Sequence, residues 1–328
     1  VPEIFRSAPA FWQAGTASPW PALLAPLGGV TAWLTRRRVA RPGWHSPVPV
    51  LCCGNVTAGG AGKTTLALDL GQRLCARGAK MHFLTRGHGG SVHGVLQVDP
   101  ARHSSALVGD EPLLLAAVAP TWVAADRAAG ARVAIAAGAE ALLLDDGLQN
   151  PSLEKDFSLL VIDGRTGFGN GRLIPAGPLR EPIAAGAARC CAAVLIGDDA
   201  TGALAALPAD LPVFHATLVP EGGEQVAGRR VLAFAGIADP TKFFATLAGA
   251  GAELVGKRSF PDHHFYGEPI LRALLAEAER LNAIAVTTPK DAVRLPAWAR
   301  PRIVVVGVRL VWHNLPMTEQ LLHKILYR

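Results

Sequence analysis

Cysteine is scarce in this chain, five residues in 328, and four of the five form two adjacent pairs, Cys52-Cys53 and Cys190-Cys191, inside apolar runs. That arrangement makes neither a disulfide ladder nor a C-x-x-C metal knuckle, so a disulfide-stapled scaffold and a structural zinc site are excluded and a reducing compartment is the simpler reading. Internal repeats and low-complexity tracts are also missing, which leaves an ordinary globular protein. A long unbroken apolar run is absent as well. Between Phe11 and Leu34 lie Trp12, Trp20, Leu23, Leu24, Leu27, Val30 and Trp33, but Pro19, Pro21 and Pro26 interrupt them, against a continuous spanning helix of about 20 residues. Arg36, Arg37, Arg38 and Arg41 follow this segment instead of preceding it, the wrong order for a signal peptide. Tryptophans at headgroup level and arginines on anionic lipid suit a segment lying in a membrane interface; a helix packed on the protein's own core is the alternative. Acidic residues are fewer than basic ones, 26 against 32, for a net charge of +6. An anionic partner fits this balance, and charge alone does not choose among nucleotide, nucleic acid and membrane.

With 50% hydrophobic residues, the chain can bury a sizeable core in two domains or one large one. Its organising stretch is Val48 to Leu74. An apolar strand (Val50, Leu51, Cys52, Cys53) breaks into Thr57-Ala58-Gly59-Gly60-Ala61-Gly62, and a helix with Leu66, Leu70 and Leu74 on one face begins near Lys63. Small residues leave backbone N–H groups open, and the helix dipole adds positive potential to the same cavity, so the loop is built for phosphate. Lys63 would reach the β and γ phosphates, and the Thr64 hydroxyl would ligate the magnesium ion that bridges them. Thr57 stands where a strict Walker A loop has glycine.

Further along, a strand over Lys80 to Leu84 ends at Arg86, facing the crevice where open α/β sheets bind ligands. Asp110 and Glu111 precede a leucine-rich helical run and are either its N-cap or site residues. Ala141 to Asp146 (ALLLDD) reads as the strand beside the phosphate loop, with Asp145 and Asp146 as a Walker B pair near the metal. Arg180 and Glu181 form a pair able to close over the nucleotide. Asp262-His263-His264 is open to three readings: a metal cluster, exposed loop histidines, or part of a catalytic relay.

Seven motifs in order, GNVTAGGAGKTT, TRGHGG, GDEP, LLDDGLQ, PAGPLREP, FPDHH and TPKDAVRL, resemble those of the tetraacyldisaccharide 4'-kinase family over most of the chain. The Thr57 variant agrees with that family's own loop. The resemblance implies transfer of the γ-phosphate of ATP, with Mg2+, to the 4'-hydroxyl of an acylated glucosamine disaccharide 1-phosphate at the cytoplasmic face of the bacterial inner membrane. It implies a peripheral or monotopic monomer with no nucleic-acid partner. By resemblance, the loop from Thr57 to Thr65 and Gln149 bind nucleotide, Thr64, Asp146 and Glu181 bear on metal, and Arg86, Glu111, Arg127 and Asp145 bear on substrate. Asp110 takes the sugar hydroxyl's proton with support from His263, while Lys63 and Arg180 complete the catalytic set. Asn150 departs from the family's usual histidine, and Pro289 from its glutamate.

The expected fold is α/β: a P-loop NTPase-like parallel-sheet domain and a second, smaller α/β domain joined by a two-stranded hinge. The segments are an N-terminal membrane-interface segment (1–45), the kinase domain (46–212), a linker of two strands (213–220 and 303–312), the smaller domain (221–302) and a C-terminal helix (313–328). A membrane-associated P-loop ATPase switch of the partition or cell-division type is the rival class. Its signature lysine would fall at Ala58. A GTPase is weaker still, because the lysine of Thr288-Pro-Lys-Asp291 comes one place late for base reading.

Overall fold

The computed structural model describes residues 9–326. In chain order the elements are α1 (Trp20–Val39), β1 (Val50–Gly54), α2 (Lys63–Ala76), β2 (Met81–Thr85), β3 (Val95–Gln97), α3 (Ser105–Val108), α4 (Asp110–Ala116), β4 (Thr121–Ala124), α5 (Arg127–Ala136), β5 (Ala141–Asp145), β6 (Phe157–Asp163), α6 (Ile183–Ala187), β7 (Ala192–Ile196) and β8 (Val213–Glu221). They continue as β9 (Arg230–Ala235), α7 (Pro240–Gly249), β10 (Glu253–Ser259), α8 (Glu268–Arg280), β11 (Ile284–Thr287), α9 (Pro289–Ala292), β12 (Ile303–Val305), β13 (Gly307–Trp312) and α10 (Leu315–Leu326).

Nine strands make the main sheet in the order β13-β8-β7-β6-β1-β5-β2-β4-β3. The strands from β8 to β4 run parallel, and β13 and β3 close the two edges antiparallel. Central strands of such a sheet are covered on both faces and so read as continuous apolar runs; every residue of β1, β2 and β5 is buried. On one face α2 lays Leu66, Leu70 and Leu74 over Phe83, Leu143 and Leu159, and α10 joins the same layer through Leu322 and Ile325. Gly71 lets α2 come this close, since a β-carbon there would sit 2.3 Å from the Phe83 ring. Truncating Leu66 or Leu70 to alanine would cost about 2–5 kcal/mol at such a site. Helix α5 covers the other face with Ala131 and Ala134 against Cys52, Leu142 and Leu144.

The smaller domain is a four-stranded parallel sheet, β10-β9-β11-β12, flanked by α7 and α8. Its boundary with the connection differs from the expected one. Ile303–Val305 pairs with β11 inside the smaller sheet, so only Gly307–Trp312 of the 303–312 stretch pairs with β8. Nor is the β8–β13 pair a free-standing ribbon: β8 also pairs with β7, which fixes the connection to the edge of the main sheet.

Helix α1 is another difference, for it runs unbroken through Pro26. A single internal proline removes one backbone bond and leaves the turns on either side able to continue. Thr31 donates to the Ile174 carbonyl at 2.6 Å and Thr35 to the Arg180 carbonyl at 3.1 Å, so one side of the helix is seated on the loop that carries Arg180. Trp20, Leu23, Leu27, Val30 and Leu34, at spacings of three and four, are exposed along it. No described helix is long and apolar enough to cross a membrane. The first eight residues of the expected N-terminal segment and the last two of the C-terminal helix lie outside the described residues.

Candidate active site

The turn from β1 to α2 forms the expected phosphate cradle. Gly59 and Gly62 hold φ of 119° and 85°, values that favour glycine, and Gly62 ends the loop where α2 begins. Ala58 N–H donates to the Pro178 carbonyl at 2.7 Å, pinning the loop against the segment that leads to Arg180. Lys63 Nζ donates to Asn55 Oδ1 at 3.0 Å and lies 3.8 Å from Asp146 Oδ2. Burial lowers the Lys63 pKa, and the Asp146 carboxylate opposes that shift. Thr57 holds its hydroxyl 2.9 Å from Asn55 Nδ2, so Asn55 ties the two ends of the loop together.

Asp145 and Asp146 separate into two roles at the end of β5. Asp145 is 3% exposed and accepts the Thr64 hydroxyl at 2.8 Å. Burial pushes its carboxyl up to about 7. This corrects the expected substrate role of Asp145: it lies beneath the loop, where an acyl sugar has no access. Asp146, with φ of 58°, turns out of the strand and receives Arg180 Nη1 at 3.1 and 3.2 Å.

The same group of residues fits a metal ion. Asp145 Oδ1 is buried without a hydrogen-bond partner beside the Thr64 hydroxyl, and an orphaned carboxylate oxygen there fits a cation at the phosphates. Among the described residues no cluster of three His, Cys, Asp or Glu forms a protein cage. Magnesium held by one or two protein oxygens plus phosphates and water needs none.

A further expectation is corrected by burial. Arg127 is 2% exposed, with its guanidinium on the Ala124 carbonyl and 3.5 Å from the Asp146 carbonyl, so it braces the Walker B turn and does not face a substrate. Glu181, also 2% exposed, has its two oxygens 2.7 and 2.8 Å from Arg189 Nη2 and accepts Gln149 Nε2 at 2.8 Å. Those donors hold its carboxylate in a fixed position. Gln149 also donates to the Asn55 carbonyl at 2.8 Å, so it supports the loop's base. Arg86 is exposed just past the end of β2.

Asp110 and Glu111 are not caps: they occupy the first turn of α4, whose cap residue is Gly109. Asp110 is 2% exposed and crosses to the smaller domain. His263 Nδ1 lies 2.6 Å from its Oδ2, and Arg294 donates Nε to Oδ1 at 2.9 Å and Nη2 to Oδ2 at 2.6 Å. Burial acts to raise the Asp110 carboxyl, but the hydrogen bonds from His263 and Arg294 outweigh it and hold it at about 2. Glu111 Oε1 is 3.0 Å from Lys290 Nζ, and its charge is felt at Lys63. The three readings of Asp262-His263-His264 resolve accordingly. His263 faces Asp110, while His264 stacks on Phe260 at 4.7 Å between ring centres. Sequence reasoning assigned no role to Asn55, Lys290, Arg294 or Arg189. The first three lie inside quoted motifs, where a charged or amide residue was the available signal; Arg189 carried none.

A model of the family described as Tetraacyldisaccharide-1-P 4'-kinase matches residues 20–327. The chain is 57% identical over 317 residues to a tetraacyldisaccharide 4'-kinase of Gluconacetobacter diazotrophicus, covering 96% of this chain and 97% of the relative. It is 54% identical over 326 residues to one of Rhodospirillum centenum, covering 97% and 96%. The crystal structure of LpxK from Aquifex aeolicus in complex with ATP resembles this fold with a TM-score of 0.75 at 25% identity, covering 94% of this chain and 99% of that one.

Proposed function

Since the chain belongs to the tetraacyldisaccharide 4'-kinase family, we propose how its own residues carry out that family's reaction. The protein is an ATP-dependent kinase that transfers the γ-phosphate to the 4'-hydroxyl of tetraacyldisaccharide 1-phosphate, forming lipid IVA. The loop from Thr57 to Thr65 binds the triphosphate with its amides, and Lys63 neutralises charge as the phosphoryl group departs. Thr64 and Asp146, with Asp145 behind them, would hold a magnesium ion. Bound there, the ion would supply charge neutralisation at the phosphates.

Arg180, which meets Asp146 beside the loop, would neutralise charge on the transferring phosphoryl group. Glu111 and Arg86 line the acceptor's side of the cleft. The acceptor hydroxyl reaches the Asp110–His263 pair, which takes up its proton as a unit across the short Oδ2–Nδ1 contact. Positioning contributes the rest, because a loose phosphoryl-transfer transition state needs an in-line alcohol more than a strong base.

The observation that carries this reading is the joining of Asp110 to His263, from two domains, beside Glu111, whose charge is felt at Lys63. Radiolabelled ATP supplied with acylated disaccharide 1-phosphate in detergent tests it. A second phosphate should appear on the lipid, with little ATP consumed when the lipid is omitted. Brisk hydrolysis without acceptor, coupled to dimerisation, would instead mark a partition-type switch.

The acceptor is a membrane lipid, and α1 offers a route to it. Its exposed tryptophan and leucine row would enter the interface, and Arg36, Arg37 and Arg38 in its last turn would meet anionic headgroups on the cytoplasmic leaflet. A monomer suffices for this reading, because the Asp110–His263 pair is completed within one chain.

A further inference from the structure

Among the described residues, Arg294 is the one whose side chain hydrogen-bonds the Asp110 carboxylate and belongs to neither the phosphate loop nor the expected catalytic pair. It is 8% exposed as a residue, on the turn after α9 in the smaller domain. Its own domain holds it independently of Asp110: Nη1 donates to the Gly236 carbonyl at 2.9 Å and to Asp291 Oδ1 at 3.1 Å. Asp291 is itself fixed, accepting Gly236 N–H at 2.9 Å, the Tyr266 hydroxyl at 2.7 Å and the Thr288 hydroxyl at 2.6 Å. The smaller domain therefore presents a preset fork. Its two remaining nitrogens match the two oxygens of a carboxylate, a geometry that a lysine ammonium cannot reproduce.

We propose that Arg294 is a positioning residue for phosphoryl transfer: when the smaller domain docks, its fork fixes Asp110 so that Oδ2 meets His263, and the pair exists only in the docked arrangement. The proposal rests on the kinase reading and deepens it, by making domain docking the step that assembles the proton-accepting pair. The carboxylate is anionic in that arrangement because a fixed cation faces it. Asp110 is surrounded by His263 and Arg294, with Lys290, Glu111 and Asp262 one contact further out and Asp291 and Tyr266 behind the fork. Removing the fork leaves Asp110 free to rotate and less acidic, and the pair loses its alignment.

The test compares R294K and R294Q with the wild type. Three readouts are followed: kcat and KM for each substrate against pH, thermal unfolding, and amide hydrogen exchange in α4. R294K keeps the charge that Asp291 needs, so it folds even where R294Q does not. The expected result for R294K is a kcat at least tenfold lower, KM for ATP within twofold, an acid limb of the kcat profile moved upward by half a pH unit or more, and faster exchange at the Leu113–Ala116 amides with α2 unchanged. R294Q, where folded, should exceed it in each. Unchanged kcat and pH profile overturn the proposal, and so does a loss of activity that follows thermal stability alone. Exchange needs no turnover: unaltered protection of α4 in R294K overturns the proposal even for a chain inactive on glycolipid. Wild-type failure to phosphorylate the lipid would instead count against the kinase reading.

Discussion

His263 Nδ1 stands 2.6 Å from Asp110 Oδ2, although 153 residues separate the two in the chain and they belong to different sheets' helices and loops. The contact joins the smaller domain to α4 of the larger one, and His263 reaches it with φ of 59°, a value unusual for any residue but glycine. Local backbone strain of this kind is sustained by surroundings that fix it. Here the fixed surroundings are the His263 N–H bonds to Gly236 and Asp262 at 3.2 and 3.0 Å.

Replacing either member of the pair should therefore remove a general acid–base contribution and the alignment of the acceptor together. D110A and H263A are each expected to lower kcat by about 10²–10⁴-fold, with KM for ATP little changed. The double variant should fall no further than about threefold below the worse single one, because residues acting as a unit are strongly non-additive. Steady-state kinetics at saturating ATP and lipid measure this. Additive losses would mean that the two side chains act separately.

The low Asp110 pKa also leaves a signature in stability. Its folded value of about 2 lies below the unfolded value of 3.8, so its stabilisation is present above pH 4 and is lost as the pH falls through 2. The difference is worth about 2 kcal/mol between those limits. Denaturant melts of the wild type at pH 2–5 should show that loss on top of the general acid destabilisation, and D110N should show a dependence shallower by about that amount.

Asp146 combines a charge with a left-handed backbone, and two substitutions separate them. Asparagine tolerates φ near 58°, whereas alanine pays about 1–2 kcal/mol for it. D146N is expected to unfold at nearly the wild-type temperature while losing at least about a hundredfold in turnover; the loss of charge stabilisation at a transferring phosphoryl group is of that size. D146A should lose both activity and stability. Thermal melts run beside kinase assays would expose the opposite pattern, a D146N that stays active.

The peripheral ion pairs between the domains carry a different expectation. Asp163 meets Lys242 at 2.7 Å and Arg165 meets Asp239 at 2.8 Å, but Arg165 and Lys242 are 57% and 43% exposed. Solvated pairs contribute about 0–1 kcal/mol, so K242A and R165A should each change kcat/KM by less than about fivefold and less still at high salt. A hundredfold loss would mean that closure depends on this second contact, and not mainly on Asp110.

Sequence carried the strands of the main sheet well, because a doubly covered parallel strand has no polar face to disguise it: β1, β5 and β7 read as unbroken apolar runs. Strand β10 was missed for the converse reason. As the outer strand of the smaller sheet it keeps Lys257, Arg258 and Ser259 exposed, and no alternation survives. The phosphate loop was legible by residue type and local spacing, whereas Asp110 stayed open between a cap and a site residue until the family resemblance gave it a role. Burial was not legible, which is why Arg127 was assigned to substrate although it is enclosed among protein partners, and Asp145 to the acceptor although it lies beneath the loop. The Asp110–Arg294 fork joins positions 184 residues apart, a juxtaposition that only the docking of two domains creates.

Helix α1 provides the last test, since its seated and its exposed residues make different demands. Leu23 and Leu27 are 67% and 53% exposed, two turns and one turn before Thr31, so charging them should spare the fold. L23E/L27E is expected to weaken binding to vesicles of phosphatidylethanolamine and phosphatidylglycerol by at least about tenfold, since two leucines entering the interface bring several buried CH₂ groups worth about 0.8 kcal/mol each. Changing Arg36, Arg37 and Arg38 to glutamine should remove about 1 kcal/mol per charge and most of the salt dependence. Both variants should phosphorylate detergent-dispersed lipid within about threefold of the wild type, because neither touches the residues that hold Arg180; this is of the order expected for exposed positions remote from the chemistry. Cosedimentation and kinase assays on the same preparations decide it. Unaltered vesicle binding in both variants would remove α1 as the docking surface, whereas lost activity in detergent would mean that its outer face contributes to the site itself.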